Sequence, residues 1–214
     1  MPDRGWNRTV LVLSALVITI ALLSVAPALS ATTTRVSVAT DGTEGTSRSQ
    51  NPDISADGRY IAFECDASLV PEDTDNYRDI YRHDFQTGET ICVSVASDGT
   101  VANYDCHAPS ISADGRYVAF DTPAANLVSN DSNGMGDVFV HDCDTGDTVR
   151  VSLAADGSSG NSHSYAPAIS ADGRYVAFPS SASNLVDGDA NNQDDVFVRD
   201  RQTADTTMVS VSSE

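Results

Sequence analysis

The heptapeptide Ile-Ser-Ala-Asp-Gly-Arg-Tyr occurs three times, at residues 54–60, 111–117 and 169–175, with successive copies 57 and 58 residues apart. A tripeptide keeps the same beat: Val36-Ser37-Val38, Val93-Ser94-Val95, Val151-Ser152-Leu153 and Val209-Ser210-Val211. Self-similarity at a fixed period means that one supersecondary unit is stacked, each copy burying a face that it cannot bury alone. Architecture is thereby constrained before any single residue is weighed. Activity is not, because a repeat is a scaffold and its chemistry lies in the loops it carries.

Each repeat reads as four short strands. The first follows a proline, at residues 52–55, 109–112 and 167–170, and ends in an Asp-Gly pair that predicts a two-residue hairpin turn. The second covers residues 60–63, 117–120 and 175–178, and the third 79–82, 137–140 and 195–198. A Thr-Gly turn follows at Thr87-Gly88 and Thr145-Gly146, and the tripeptide supplies the fourth strand. Strands two and three are apolar at nearly every position, as in Val176-Ala177-Phe178, which marks strands covered on both faces. A sandwich would alternate more cleanly. The expected fold is all-β, a propeller-type array of three four-stranded antiparallel blades at about residues 52–96, 109–154 and 167–212. Val36-Ser37-Val38 adds one orphan N-terminal strand. As a monomer this is an incomplete ring with two bare end faces, and large exposed apolar faces mark interfaces. A homodimer completing a six-bladed ring would cover them; a truncated fragment of a larger propeller is the other reading.

Arg4 and Arg8 precede an uncharged run over residues 10–26 and small residues through Ala31, the order of a secretory signal. Residues 1–31 are read as that signal and 32–214 as the repeats, with a retained anchor as the alternative. Either way the repeats lie outside the cytoplasm: secreted, periplasmic or on the cell surface. No later apolar run reaches spanning length, so no membrane insertion is expected once the signal is removed. The net charge is −19 and every basic residue is arginine. Such a surface repels nucleic acid and anionic membranes and suits cations or basic partners.

Ser-Ala-Asp-Gly-Arg-Tyr-Val-Ala-Phe, a gap, Asp-Val-Phe-Val-Arg-Asp and a Thr-Gly turn together resemble the WD40-like (PD40) repeat of TolB-type β-propellers, over about residues 33–214. The third copy departs at Ala204, where the others have Gly88 and Gly146. The N-terminal α/β domain of TolB has no counterpart, so a role in the Tol–Pal envelope system is not implied. Rings of this family close with about six or more blades, so three repeats fall short.

The loop between strands two and three keeps oxygen-bearing side chains at fixed offsets: Asp73, Asp75 and Asp79; Asp131, Asn133 and Asp137; Asp189, Asn191 and Asp195. Asp-x-[Asp/Asn] followed by another Asp resembles the start of a calcium loop, without the glycine and final glutamate of an EF-hand. Asp and Asn are also ordinary turn formers, so structural calcium is an expectation and no cofactor is required. His83, His141 and Arg199 share one repeat position, which predicts a cation paired with a carboxylate. Arg59, Arg116 and Arg174 are placed to bridge carboxylates. The nearest approach to a nucleophile elbow, Gly157-Ser158-Ser159-Gly160, has the wrong spacing.

What varies is the connection between blades, at residues 40–51, 97–108 and 155–166, which carries Asn103, Tyr104, His107, Asn161, His163 and Tyr165. In an up-and-down blade it emerges beside the loop between strands two and three, and binding favours the loop-rich face of a rigid scaffold. The expected function is an exported, non-catalytic interaction module that binds a protein or glycan through this face. A propeller domain serving a hydrolase or lyase is the other class. Four cysteines in an exported chain predict two disulfides. Joining partners at the same end of adjacent blades gives Cys65–Cys106 and Cys92–Cys143.

Overall fold

A computed structural model describes residues 32–191 and 193–211, so the signal expected over residues 1–31 lies outside the described residues. Contacts divide the chain into Met1–Thr34 and Arg35–Glu214, and the second unit is described below. Its twelve strands are β1 (Ser49–Ile54), β2 (Tyr60–Cys65), β3 (Asp79–Asp84), β4 (Thr90–Cys92), β5 (His107–Ile111), β6 (Tyr117–Thr122), β7 (Asp137–Asp142), β8 (Thr148–Arg150), β9 (Ala168–Ile169), β10 (Tyr175–Ser180), β11 (Asp195–Asp200) and β12 (Asp205–Met208). They form three four-stranded antiparallel sheets in sequential order, without a helix among the described residues. The three blades are open, not closed into a ring.

Two cores lie between blades. Ala62, Ile80 and Val93 of blade one meet Ile111, Val118, Phe120 and Phe139 of blade two. Val138, Val140 and Val151 of blade two meet Val176, Phe178 and Phe197 of blade three. This is why strands two and three of blade two are apolar throughout: each face of that sheet has a neighbouring blade. Ile61, Phe63, Cys65 and Tyr81 form a third cluster on the other face of blade one, with Val36 and Leu69.

The inter-blade joint is built the same way twice. Ala56 N–H donates to the Ala113 carbonyl at 2.9 Å, and Ala113 N–H to the Ala171 carbonyl at 3.0 Å. Tyr60 lies over Gly115, where an added Cβ would sit 2.1 Å from its ring, and Tyr117 lies over Gly173 in the same way. Glycine at these turns is thus required both by space and by φ of +76° and +71°. Ala108 and Ala166, each before a proline, hold φ near +50° and +46°. Their N–H groups are caught by acids of the preceding blade, Glu64 Oε1 at 2.8 Å and Asp121 Oδ1 at 2.8 Å. A carboxylate acceptor offsets backbone conformations that non-glycine residues seldom adopt.

Three local expectations are corrected. The Asp-Gly turn is wider than two residues: β1 ends at Ile54 and β2 starts at Tyr60. Asp57 Oδ1 accepts the Ser55 hydroxyl at 2.6 Å and the Arg59 N–H at 3.0 Å, so the side chain closes a longer loop. The tripeptide marker follows the fourth strand, which is Thr90–Cys92, Thr148–Arg150 or Asp205–Met208. Its serine leaves the ladder because its side chain takes over: Ser94 Oγ accepts the Ile80 N–H at 3.0 Å and donates to Asp79 at 2.6 Å. Ser152 and Ser210 repeat the pattern. The orphan Val36-Ser37-Val38 is not a strand either, since only the isolated bridge Val38 to Glu44 pairs it. It nevertheless takes a blade-like place, because the Thr90 hydroxyl donates to the Val38 carbonyl at 2.6 Å as Thr148 does to Val95.

Candidate functional site

The connections between blades and the loops between strands two and three meet at one end, held by backbone bonds. Arg78 N–H donates to Asp105 Oδ1 at 2.9 Å, and Cys106 N–H returns to the Arg78 carbonyl at 2.7 Å. One blade on, Gly136 N–H donates to His163 Nδ1 at 2.8 Å and Ser164 N–H to the Gly136 carbonyl at 2.8 Å. The first bond leaves His163 Nδ1 as acceptor, which puts the proton of a neutral ring on Nε2. Asn103 N–H donates to Asn126 Oδ1, and Asn161 is engaged by Asn184 and Ser183 through its N–H, Oδ1 and Nδ2.

Most residues expected to bind a ligand therefore hold the loops. His107 Nδ1 lies 3.3 Å from Arg78 Nη1, and the Tyr165 hydroxyl bonds Asp194. Tyr104 is the exception. It is half exposed and stacks on Tyr77, which sequence reasoning missed, with ring centroids 5.5 Å apart and planes 17° apart. The two rings come from different loops of blade one and the passage to blade two. Tyr77 lies within the acidic loop just before β3, so the repeat alignment masks it.

The three acidic loops differ in detail. In blade two, Arg150 Nη1 lies 3.0 Å from Asp131 Oδ1 and 3.2 Å from Asp137 Oδ2, and Asn133 Nδ2 donates to the same Asp137 oxygen at 2.9 Å. In blade three, Asn191 Nδ2 donates to Asp195 Oδ2 at 2.8 Å. Asp189 completes the sequence pattern there. In blade one the ligand-type oxygens of Asp73, Asp75 and Asp79 lie within 4.8 Å of one another. Burial pushes the Asp79 carboxyl up to about 7, and the nearby carboxylates of Asp73, Asp75 and Asp105 add to this against the Ser94 hydrogen bond.

The cysteine expectation is corrected: all four are unpaired. Alternation along the strand is the reason. Cys65 shares the outer face of blade one with Ile61 and Phe63, whereas Cys106 packs with Ala62 on the opposite face. Cys92 lies against the outer cluster and Cys143 against the joint between blades one and two. Each expected pair thus lies on opposite faces of the blade-one sheet. Burial raises the Cys92, Cys106 and Cys143 thiols, the last to about 12, so they stay protonated and weakly nucleophilic.

His83 and His141 do not pair with carboxylates as expected. Their Nδ1 atoms lie 2.9 Å from the Thr90 and Thr148 hydroxyls, which in turn donate to Val38 and Val95. Each imidazole must therefore supply the proton, and burial lowers both above any opposing charge, His141 to about 4. Arg199 does the same work, donating to Thr206 Oγ1 at 3.0 Å. The shared requirement is a donor for the threonine oxygen, which explains why histidine and arginine alternate. Arg59, Arg116 and Arg174 do bridge carboxylates, each contacting both oxygens of Asp84, Asp142 or Asp200 at 2.6–3.0 Å. The Arg hydrogen bonds hold those three acids well below the usual carboxylate range. The serines of residues 157–160 form no nucleophile–base pair: Ser159 Oγ takes a bond from Arg150 at 2.8 Å.

No family model matches the chain, and no curated protein matches its sequence. Solved structures do match its shape. A protein described as TolB from Agrobacterium tumefaciens aligns with a TM-score of 0.51 at 17% identity, over 76% of this chain and 46% of that one. The tricorn protease aligns with a TM-score of 0.50 at 16% identity, over 77% of this chain and 17% of that one. The chain thus spans less than half the length of either. These likenesses show the β-propeller fold, and one of the two neighbours is named a protease, so the fold carries no reading of catalysis.

Proposed function

We propose that the chain is an exported, non-catalytic interaction module that binds a protein or glycan through its long-loop face. The observation that carries this reading is the exposed Tyr77–Tyr104 stack, 5.5 Å between centroids, on loops pinned by backbone bonds to the blades. Rigid aromatic rings lose little conformational freedom on binding and offer a flat face to a sugar ring or an arginine. The acidic surface favours basic or neutral partners over nucleic acid.

The non-catalytic part is supported by the same geometry. His83 and His141 are buried against threonines, His163 accepts a backbone N–H, and the Cys92, Cys106 and Cys143 thiols are pushed up. A groove of about 750 Å³ at the outer edge of blade one, lined by Thr40, Leu69, Val70, Pro71, Ile91 and Cys92, presents mainly apolar groups. None of these side chains is paired with a general base among the described residues.

Calorimetric titration with neutral oligosaccharides and with arginine-rich peptides tests the reading. Saturable binding that weakens about tenfold or more in the double variant Tyr77→Ala, Tyr104→Ala supports it, the size expected for losing aromatic anchors. No binding to either class, or binding that the double variant leaves intact, overturns it.

A further inference from the structure

The three acidic loops share their spacing but not their charge. Blade two encloses Asp131 and Asp137 with a cation of its own, Arg150, whose side chain is 2% exposed. Asp137 Oδ1 takes the Ser152 hydroxyl at 2.5 Å and its Oδ2 takes Asn133 and Arg150, so both oxygens are served. Blade three serves both oxygens of Asp195 through Ser210 at 2.6 Å and Asn191 at 2.8 Å. Blade one has Asp75 in place of the asparagine and Cys92 in place of the arginine. Two donors have been exchanged for a third carboxylate and a thiol; the one donor gained, the Tyr81 hydroxyl in place of Phe139 or Phe197, bonds Asp73 and leaves Asp79 Oδ2 unserved.

The consequence is visible at Asp79. Its side chain is fully buried, Oδ1 takes the Ser94 hydroxyl, and Oδ2 has no hydrogen-bond partner among the described residues. A buried carboxylate oxygen without a donor is costly, and more so beside two further carboxylates. Oxygens no more than 4.8 Å apart surround a point within about 2.8 Å of each, close to the 2.3–2.6 Å of calcium–oxygen bonds. Three acidic oxygens suit a hard cation. Magnesium would need a tighter octahedral shell near about 2.1 Å and gives up water reluctantly.

We propose that blade one binds a calcium ion through Asp73, Asp75 and Asp79, at the place where blade two uses the guanidinium of Arg150. The ion supplies from solution the positive charge that Arg150 supplies from the chain. It also fixes the loop that carries Tyr77, because Asp75 Oδ1 accepts the Tyr77 N–H at 2.8 Å. This site stands apart from the question of what the tyrosines bind.

Titration of the exported chain with calcium chloride, followed by calorimetry and thermal melting, tests it. A dissociation constant of about 0.1–1 mM is expected, the range of extracellular calcium modules. Tenfold excess over that constant should raise the melting temperature by about 3–6 °C. Asp75→Asn writes the residue of the other two blades into blade one and should weaken calcium at least tenfold. Cys92→Arg supplies the internal cation and should abolish the response while the chain still melts cooperatively. Asp189→Ala, in blade three, should leave the calcium response unchanged. A wild-type chain indifferent to calcium overturns the proposal, as does undiminished binding in both Asp75→Asn and Cys92→Arg.

Discussion

Blades two and three are written in nearly the same residues yet live in different surroundings. Val138 and Val151 of blade two are 0% and 2% exposed, and their counterparts in blade three, Val196 and Val209, are 40% and 49% exposed. Tyr117 packs over Gly173 of the next blade, whereas Tyr175 is exposed. The repeat therefore encodes two adhesive faces per blade. Whether a face becomes core is decided by the neighbour, not by the residues on it.

The sharpest way to break that comparison is to place the same charge at the same position in both blades. Val138→Asp should cost more than about 4 kcal/mol, because it buries an unpaired carboxylate in a packed joint. Val196→Asp should stay within about 1 kcal/mol of wild type in urea unfolding, with its carboxylate in water. Equal losses would mean that blade three's open face is covered in solution. Light scattering on the same variant decides whether a second copy covers it. The six-bladed ring of two chains expects twice the chain mass for wild type and a single chain for Val196→Asp; a single chain for both overturns it.

A smaller effect separates the blades by pH. His141 of blade two sits neutral, its pKa lowered to about 4 chiefly by burial, and Arg199 holds the equivalent place in blade three. Because the folded value lies below the unfolded one, the unfolded chain takes up protons first as pH falls. Stability from this group is complete above about 6.5 and lost progressively down to about pH 4, by up to about 3 kcal/mol. Asp79 and Asp121, raised to about 7 and about 6 by burial, change stability in the opposite sense over the same range, so the limb is read as the difference between wild type and His141→Gln in urea unfolding at several pH values. His83 shifts in the same direction and would leave a residual slope. Asp142, held to about 2 by Arg116, contributes only in the more acidic window below about pH 4. An unchanged slope in the variant would place the acid sensitivity elsewhere.

The smallest contrast lies in the turns after β7 and β11. Gly146 holds φ +80° in blade two and Ala204 holds φ +63° in blade three. Ala204→Gly should gain about 0.5–1 kcal/mol, and Gly146→Ala should lose a similar amount, since only glycine enters this region without a steric penalty. Matching urea midpoints for Ala204→Gly and wild type would show the strain to be relieved some other way.

Blade number, strand order and the apolar joints were legible because they rest on period and alternation, which survive without knowledge of neighbours. The Arg59, Arg116 and Arg174 bridges were legible for the same reason: each repeats with the turn it closes. The tripeptide misled, because a Val-Ser-Val run has the propensity of a strand while its serine acts through a hydroxyl. The disulfides misled because repeat alignment gives the end of a blade at which a residue lies but not the face it points to. Tyr77 went unseen since it has no counterpart in the other repeats, and sites that break a pattern are the ones a pattern hides. The three acidic loops looked alike until Arg150, nineteen residues from Asp131 along the chain, was seen between two of the acids.

Pro179 stands in β10 where β2 has Glu64 and β6 has Asp121. Those acids act as latches, each hooking the N–H of the alanine that precedes a proline at the start of the following blade, Ala108 or Ala166. Proline offers no carboxylate, so the last edge of the array has a strike plate and no bolt. Any blade that comes to rest there forgoes a charge-assisted hydrogen bond worth about 1.5–3 kcal/mol. On that ground alone it would leave about ten to a hundred times sooner than one fastened like its predecessors. The chain is thus welded at its two inner seams and merely magnetic at its outer one.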